Sequence, residues 1–495
     1  MNRIGFDNGK YIELQSQKIL ERITGFGGKL YLEFGGKLFD DYHAARVLPG
    51  FCPDSKIKML LNMKDNAEMI IVVSATSIEQ NKMRGDLGIT YDMDTLRLID
   101  AFTEIGMYVG GVVITQYSNQ PAADAFIKRL ENLGIKVYKH YPIDGYPTNV
   151  KKIVSDEGYG SNEYIETTRP LVVVTAPGPG SGKMATCMSQ LYHDHKRGIK
   201  AGYAKFETFP IWNLPLTHPV NMAYEAATVD LSDVNMIDPF HLEATGTTAV
   251  NYNRDIEIFP VLQAIFKQIY GECAYKSPTD MGVNMAGYCI FDDQAVCDAS
   301  KMEIVRRYYD TLCRKRNGCA DAEEVYKSEL IMSKVGIDTS FRHVVKAALD
   351  KAELTGEPAA AIELNDGTIV TGKTSKLMGA AAAALLNALK KLGGIDDSLL
   401  LLPAVLMEPL QKLKVENLGN NNPRLHSDEI LIALAISATT NPVAAMAMEQ
   451  LPKLRGCQAH VSVMLTNVDK TIYKKLGIDL TSEPLYATKK LYHKQ

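Results

Sequence analysis

The sequence predicts an α/β fold: a mainly parallel, helix-covered sheet carrying a glycine-rich phosphate-type loop, plus a C-terminal α+β domain rich in helices. Three observations carry this. From residue 69 to residue 205, β-branched runs of strand length alternate with helix-length segments, the pattern of parallel strands joined by crossing helices. One of those runs, Leu171-Val-Val-Val-Thr175, passes into Ala176-Pro-Gly-Pro-Gly-Ser-Gly-Lys183. After about residue 335 the texture changes to alanine- and leucine-rich helices, which sets the domains at 1–335 and 336–495.

The elements follow in order. Residues 16–23 predict a helix, and 29–34 and 37–39 flank Gly35-Gly36, which predicts a β-hairpin. Residues 56–63 read as a helix and 69–74 as a buried strand. Helices at 94–105, 120–133 and 184–197 alternate with strands at 111–115, 136–140, 170–175 and 201–205. Residues 209–254 form a looser stretch, followed by helices at 256–270 and 299–316. In the second domain, 359–372 predicts a hairpin about Asn365-Asp366-Gly367, 378–392 an alanine-rich helix, and 460–465 a strand.

Composition bounds the class. The chain has 495 residues, 46% apolar and 23% charged, which excludes a disordered or fibrous protein. Lys plus Arg number 54 against 58 for Asp plus Glu, a net charge of −4 that argues against a nucleic-acid-coating protein. The eight cysteines include no C-x-x-C pair, so no zinc motif is present and the thiols read as reduced. The first 29 residues hold no apolar signal core. The uncharged run 430–448 is broken by Ser437-Ala-Thr-Thr-Asn-Pro442, so it reads as two helices with no membrane span. The expectation is a cytoplasmic protein.

The loop is the most informative segment. Glycines let successive backbone N–H groups turn inward, and the following helix N-terminus adds a favourable dipole for an anion. Gly178, Gly180, Ser181, Gly182, Lys183 and Thr186 are the candidate nucleotide-binding residues, with ATP and Mg²⁺ the expected ligands. Two positions depart from G-x-x-x-x-G-K-[ST]: Pro177 stands for the first Gly and Met184 for the hydroxyl residue that binds Mg²⁺. Thr186 lies three residues past Lys183, roughly 60° short of a full helical turn. A tight strand–helix turn rich in glycine is the structural alternative.

Other polar groups are weaker signals. Tyr288-Cys-Ile-Phe-Asp-Asp293 reads as an apolar run ending in acids, which makes Asp292 a candidate metal ligand or part of an ordinary polar turn. Asp230, Asp233, Asp238, His241 and Glu243 form either a solvated acidic loop or a site for a divalent metal or a polar substrate. Tyr275-Lys-Ser-Pro-Thr-Asp-Met-Gly-Val-Asn284 is either a site-lining or a connecting loop. Ser427 or Asp428 reads as a helix cap, and His426 and His460 as candidates to meet at a site. Arg306, Arg307 and 314–316 make a basic helix face. No H-E-x-x-H occurs.

The loop at 176–183, the segment 275–284 and Asn422-Pro-Arg-Leu-His-Ser-Asp-Glu429 resemble the bacterial family catalogued as domain of unknown function 1846. The resemblance runs from Gly5-Phe-Asp7 to Lys475-Leu-Gly-Ile478. It implies a cytosolic bacterial protein with an N-terminal α/β part and a distinct C-terminal part, and no particular activity. Some members carry the label of an ATP-dependent zinc protease, which the missing metalloprotease motif does not support. The strand, the loop, Lys183 and Gly198-Ile-Lys-Ala-Gly-Tyr203 also resemble the phosphate-loop ligases related to dethiobiotin and CTP synthases. The resulting expectation is a nucleotide- or phosphate-binding protein acting as an ATP-dependent ligase or small-molecule phosphotransferase. The alternative is a non-catalytic regulator or scaffold that binds a phosphorylated metabolite. Excess apolar helix in the second domain predicts a homo-oligomer.

Overall fold

The computed structural model describes residues 3–85, 87–231 and 233–487. They form two compact units: a sheet unit of residues 5–221 and 233–296, and a C-terminal unit built mainly from residue 297 onward.

The sheet unit is organised by seven strands. These are β1 (Leu30–Phe34), β2 (Ala67–Ser74), β3 (Tyr108–Thr115), β4 (Val137–Lys139), β5 (Leu171–Thr175), β6 (Gly202–Phe206) and β7 (Gly282–Val283). Their order is β7-β6-β1-β5-β2-β3-β4, and every neighbouring pair is parallel. The middle strands β1, β5 and β2 are buried along their whole length. This is why they read as unbroken apolar runs and not as alternating ones.

One face of the sheet carries α4 (Lys183–Lys196) and α5 (Asn253–Tyr270); α1 (Asn8–Gly25), α2 (Tyr91–Glu104) and α3 (Pro121–Asn132) complete the long helices of the unit's N-terminal part. Tyr31, Val172, Val174 and Tyr203 share one core with Cys187, Met188 and Leu191 of α4 and Phe259, Leu262 and Phe266 of α5. From β5 the chain goes on to β6, on one side, whereas from β2 it goes on to β3, on the other. The carboxyl ends of adjacent β5 and β2 therefore flank a topological switch point, where open parallel sheets bind ligands.

The glycine-rich loop opens at that point, and neighbouring elements hold it. Thr115 Oγ1, at the end of β3, donates to Ser181 O at 2.7 Å. Gly180 and Gly182 are left-handed, with φ of 73° and 91°. A Cβ on Gly178 would lie 2.2 Å from Oη of Tyr91 and 2.6 Å from its Cζ, so only glycine lets the loop lie on that ring. The chain's one tryptophan, Trp212, lies against Gly282 of β7 with its Nε1 buried.

Two sequence readings are corrected here. Gly35-Gly36 does not turn a hairpin: β1 pairs with β5 and β6 only, and Gly35 N–H donates to Phe206 O at 3.1 Å. A central parallel strand has both edges taken, so residues 37–39 cannot fold back onto it. The run at 288–292 is not a strand either. Ala286–Cys289 is a single 3₁₀ turn, Ile290 makes only a lone bridge to Phe6, and Tyr288 and Phe291 are exposed.

The C-terminal unit has its own sheet of β8 (Ala359–Glu363), β9 (Ile369–Lys373), β10 (Gln458–Val461) and β11 (Asp479–Ser482), in the order β9-β8-β10-β11. The β8–β9 and β8–β10 pairs are antiparallel and β10–β11 is parallel. The hairpin about Asn365-Asp366-Gly367 and the alanine-rich helix, α6 (Ala380–Leu392), are present. Further helices are α7 (Ala404–Lys412), α8 (Ser427–Ala438), α9 (Pro442–Met448) and α10 (Asn467–Lys475). The uncharged run thus breaks between α8 and α9 as expected. Among the described residues, no helix is long and apolar enough to cross a membrane.

The contact at Gly178 sets a test of the loop. Gly178→Ala should destabilise the protein by roughly 1–3 kcal/mol, because Tyr91 is a stiff neighbour and the added methyl overpacks it. A lower urea midpoint checks this; an unchanged midpoint would show that the loop does not rest on Tyr91.

Candidate functional site

The two strands that flank and follow the loop supply the site's charges. β1 ends Leu-Tyr-Leu-Glu33-Phe, and β6 with the next residue reads Gly-Tyr-Ala-Lys205-Phe-Glu207. Glu33 and Lys205 are Cα partners in register, and Glu33 is also the partner of Val174 in β5. With period-two alternation, Tyr31, Glu33, Tyr203 and Lys205 share the face covered by α4 and α5. The start of α5 brings Tyr252, Arg254 and Asp255 to the same place.

The contacts are short and mostly ionic. Tyr203 OH donates to Glu33 Oε2 at 2.6 Å. Lys205 Nζ lies 3.0 Å from Glu207 Oε1 and also bonds to Asp255 Oδ2 and Tyr252 OH. Tyr252 OH donates to Glu207 Oε1 at 3.2 Å. Arg254 is paired with Asp233, Nη2 to Oδ2 at 2.7 Å. Glu33, Tyr203, Lys205, Glu207, Tyr252 and Asp255 are each no more than 8% exposed.

Burial opposes the charge on Lys205, but Asp255 and Glu207 outweigh it and hold the lysine well above its ordinary value. Burial raises the Glu207 carboxyl above the usual range; Lys205 opposes the rise and Asp255 adds to it.

Lys183 is the first residue of α4 and lies in this neighbourhood. It makes no hydrogen bond or ion pair among the described residues. Burial pulls its ammonium below the ordinary lysine value; Glu33 opposes that, while Lys205 and Arg254 reinforce it. The chain thus places one unpaired cation at a helix N-terminus, beside a buried group of carboxyls and phenols. Anion binding and proton exchange are the chemistry this arrangement can support.

The other residues singled out from sequence fall as follows. Gly178, Gly180 and Gly182 shape the loop, while the Ser181 hydroxyl turns back to Gly178 O at 2.9 Å. Thr186 sits within the first turn of α4, fully buried, its hydroxyl without a hydrogen-bond partner. Asp292 Oδ1 accepts the Ala295 N–H at 3.2 Å, as a cap of helix Asp293–Arg316. The carboxylate that acts on Lys183 is Glu33.

Asp238 is structural: it caps helix Pro239–Thr245 and takes both N–H and Oγ1 of Thr279. The 275–284 segment braces β6, with Tyr275 OH bonded to Tyr203 N at 3.0 Å and Asn284 Nδ2 to Pro210 O at 2.9 Å.

His426 and His460 take separate partners. His426, not Ser427 or Asp428, holds the N-cap position of α8, and its N–H reaches Glu429 Oε2 at 2.7 Å. Its Nδ1 lies 3.0 Å from Asp469 Oδ2, while Ser427 Oγ donates to Asp469 Oδ1 at 2.7 Å. His460 is fully buried, 2.9 Å from Thr481 Oγ1.

The sequence analysis singles out the loop but not Glu33, Lys205, Glu207, Tyr252 and Asp255. The signal was available for two of them: a charged residue next to last in an otherwise apolar, buried strand.

Fold and site together define a two-unit α/β protein whose ionisable residues gather at the carboxyl edge of a parallel sheet. The chain belongs to the family described as domain of unknown function DUF1846: the N-terminal description matches residues 4–336 and the C-terminal one residues 340–492. It is 58% identical over 494 residues to a UPF0371 protein of Streptococcus pyogenes serotype M5, with 100% of each chain covered. Identity to a UPF0371 protein of Streptococcus thermophilus is 59% over 494 residues, again with 100% of each chain covered.

The His426–Asp469 pair carries a pH test. The hydrogen bond to Asp469 raises the His426 value, overcoming burial. Burial works against the Asp469 carboxylate, yet the bonds from His426 and Ser427 hold it below the usual range. The stabilisation from His426 is complete below about pH 6.5 and fades as pH rises through its raised value. The stabilisation from Asp469 is present above about pH 4 and fades as pH falls through its lowered value. The unfolding free energy from denaturant titration should therefore drop by of order 1 kcal/mol above the histidine value in the wild type. In His426→Gln that drop should vanish; a drop of equal size would locate the titration elsewhere.

Proposed function

We propose that the sheet unit binds a small phosphorylated molecule or nucleotide at the loop of Gly178, Gly180 and Gly182, with the phosphate on loop N–H groups, the α4 N-terminus and Lys183. The bound group is consumed by ATP-dependent ligation or by phosphoryl transfer to a small molecule. One observation carries the reading: Lys183 at the α4 N-terminus is half-buried, its ammonium lowered by desolvation and without an ion pair, while Lys205 and Arg254 beside it are paired. Holding a cation partly out of water without an ion pair costs free energy, and a bound anion offsets that cost. The loop's place at the switch point supports the same reading. Met184 occupies the position of the usual Mg²⁺-binding hydroxyl and Ser181 Oγ is engaged inside the loop. A Mg²⁺ carried in with a nucleotide therefore takes no hydroxyl from position 184.

Lys183→Ala tests it. Losing one charge-assisted hydrogen bond should weaken phosphate or nucleotide binding by about 1.5–3 kcal/mol, roughly ten- to a hundredfold, with the fold intact. Paired thermal melts with Mg-ATP, Mg-GTP and inorganic phosphate read this directly. No ligand-induced shift in the wild type would overturn phosphate binding, and a full shift in Lys183→Ala would move the site elsewhere. Binding without nucleotide consumption would favour the regulatory or scaffold role over the enzyme.

The C-terminal unit supports a further proposal, self-association. α8 buries Ile430, Ala433, Leu434 and Ser437 but leaves Ile432 60% and Ile436 52% exposed. Exposed Leu400 is adjacent, since Leu400 O accepts Asn441 Nδ2 and Leu401 O accepts Ser437 Oγ. A helix apolar all round is ordinarily covered all round, and a second copy of the chain offers a matching uncharged face. Light scattering at micromolar concentration should give a multiple of the chain mass, reduced to one chain in Ile432→Glu/Ile436→Glu. A wild-type monomer would overturn it.

A further inference from the structure

The charges around Lys205 do not balance. Glu207 and Asp255 both bind its single ammonium, and Tyr252 OH closes the group by donating to Glu207. The surrounding charges are committed elsewhere or unpaired. Glu33 on β1 accepts from Tyr203, Arg254 at the start of α5 pairs with Asp233, and Lys183 on α4 has no ion pair. Two carboxyls held on one cation in an enclosure this dry cannot both stay ionised at low cost.

We infer that Glu207 and Asp255, clamped on Lys205 and Tyr252, share one proton at neutral pH and form a proton-exchanging pair for the molecule bound at the glycine-rich loop. The pairing itself stands on the geometry above; the coupling to a ligand rests on the phosphate-binding reading. The proton balance is simple. In the free protein the two carboxyls carry one proton and one negative charge, which Lys205 neutralises. An anion arriving at Lys183 adds negative potential and draws further protonation from solvent onto the pair. A bound molecule whose reacting oxygen or nitrogen must gain or lose a proton then has a donor and acceptor at hand. The pair titrates as a unit, so its values belong to neither residue alone.

The test uses the full chain and two readouts. Infrared spectroscopy of the ligand-free protein follows the C=O stretch of protonated carboxyls as pH is varied. The difference between wild type and Glu207→Gln isolates the pair from other buried carboxyls such as Glu68. A protonated-carboxyl band should persist at neutral pH in the wild type and be lost in Glu207→Gln. It should also be lost in Asp255→Asn, where Glu207 has Lys205 to itself and ionises. No wild-type excess at neutral pH, or a band that survives both substitutions, would overturn the shared proton. A purely structural role for Asp255 would leave the band of Glu207 in place.

The second readout is calorimetry of sulfate binding in buffers of different ionisation enthalpy. Sulfate has no proton to exchange near neutrality, so any uptake belongs to the protein. Uptake should be positive in the wild type and fall in Glu207→Gln, where only the share of Lys183 remains. Binding with no uptake, or with equal uptake in both proteins, would overturn the coupling. Failure of sulfate to bind at all would count against the phosphate-binding reading, while the infrared result still decides the pair.

Discussion

A charge inside a sheet covered on both faces has to be answered by another group within a few ångströms, and this sheet carries two such charges on neighbouring strands. Glu33 and Lys205 stand opposite each other at the carboxyl ends of β1 and β6. Water does not reach them in bulk, so partners must come from the chain. Tyr203 answers Glu33; Glu207, Asp255 and Tyr252 answer Lys205. These demands fix where α5 starts, because Tyr252 and Asp255 must reach Lys205 from its first turn. They also fix the surroundings into which α4 sends Lys183. That lysine, without an ion pair, is the feature on which the proposed anion binding rests.

The loop and the charged group are separate inventions of the sequence that the topology joins. The loop belongs to the connection leaving β5. The charged residues come from β1, from β6 and from the segment entering α5. They meet because β1 lies between β5 and β6, a crossing order that no local stretch of sequence specifies. The loop is also steadied from the far side of the switch point, by Thr115 at the end of β3 and Tyr91 at the start of α2. The loop therefore rests on elements from both sides of the switch point.

Much of the fold was legible because the parallel core writes itself plainly. Residues such as Ile70, Val72, Val172 and Val174 have no polar alternation to blur their strands, and the break at Thr439–Thr440–Asn441 marked two helices by its turn residues. The failures have local physical causes. Gly35-Gly36 carries the composition of a hairpin turn, yet its neighbours were settled by long-range pairing of β1. The apolar run ending at Asp292 lacked a strand on either side, so its large residues stayed at the surface. The sequence reads Ser427 or Asp428 as a cap and His426 as a candidate site residue, whereas Asp469, distant in sequence, recruits both His426 and Ser427. For the site, the loop was visible as a motif, and Glu33 and Lys205 were visible only as anomalies. Their partners Glu207, Tyr252 and Asp255 are ordinary residues until the strands are placed.

Trp212 gives the molecule a built-in optical reporter. It is the only tryptophan in the chain and belongs to the sheet unit, against the edge strand β7, with its indole nitrogen buried. Its emission will respond when that edge opens. Tyrosines are spread over both units, as Tyr203 and Tyr473 show. Excitation at the red edge therefore watches one unit, while the summed aromatic signal watches both. A gap between the two curves would show the units melting as independent bodies, and superposition would show a single cooperative one.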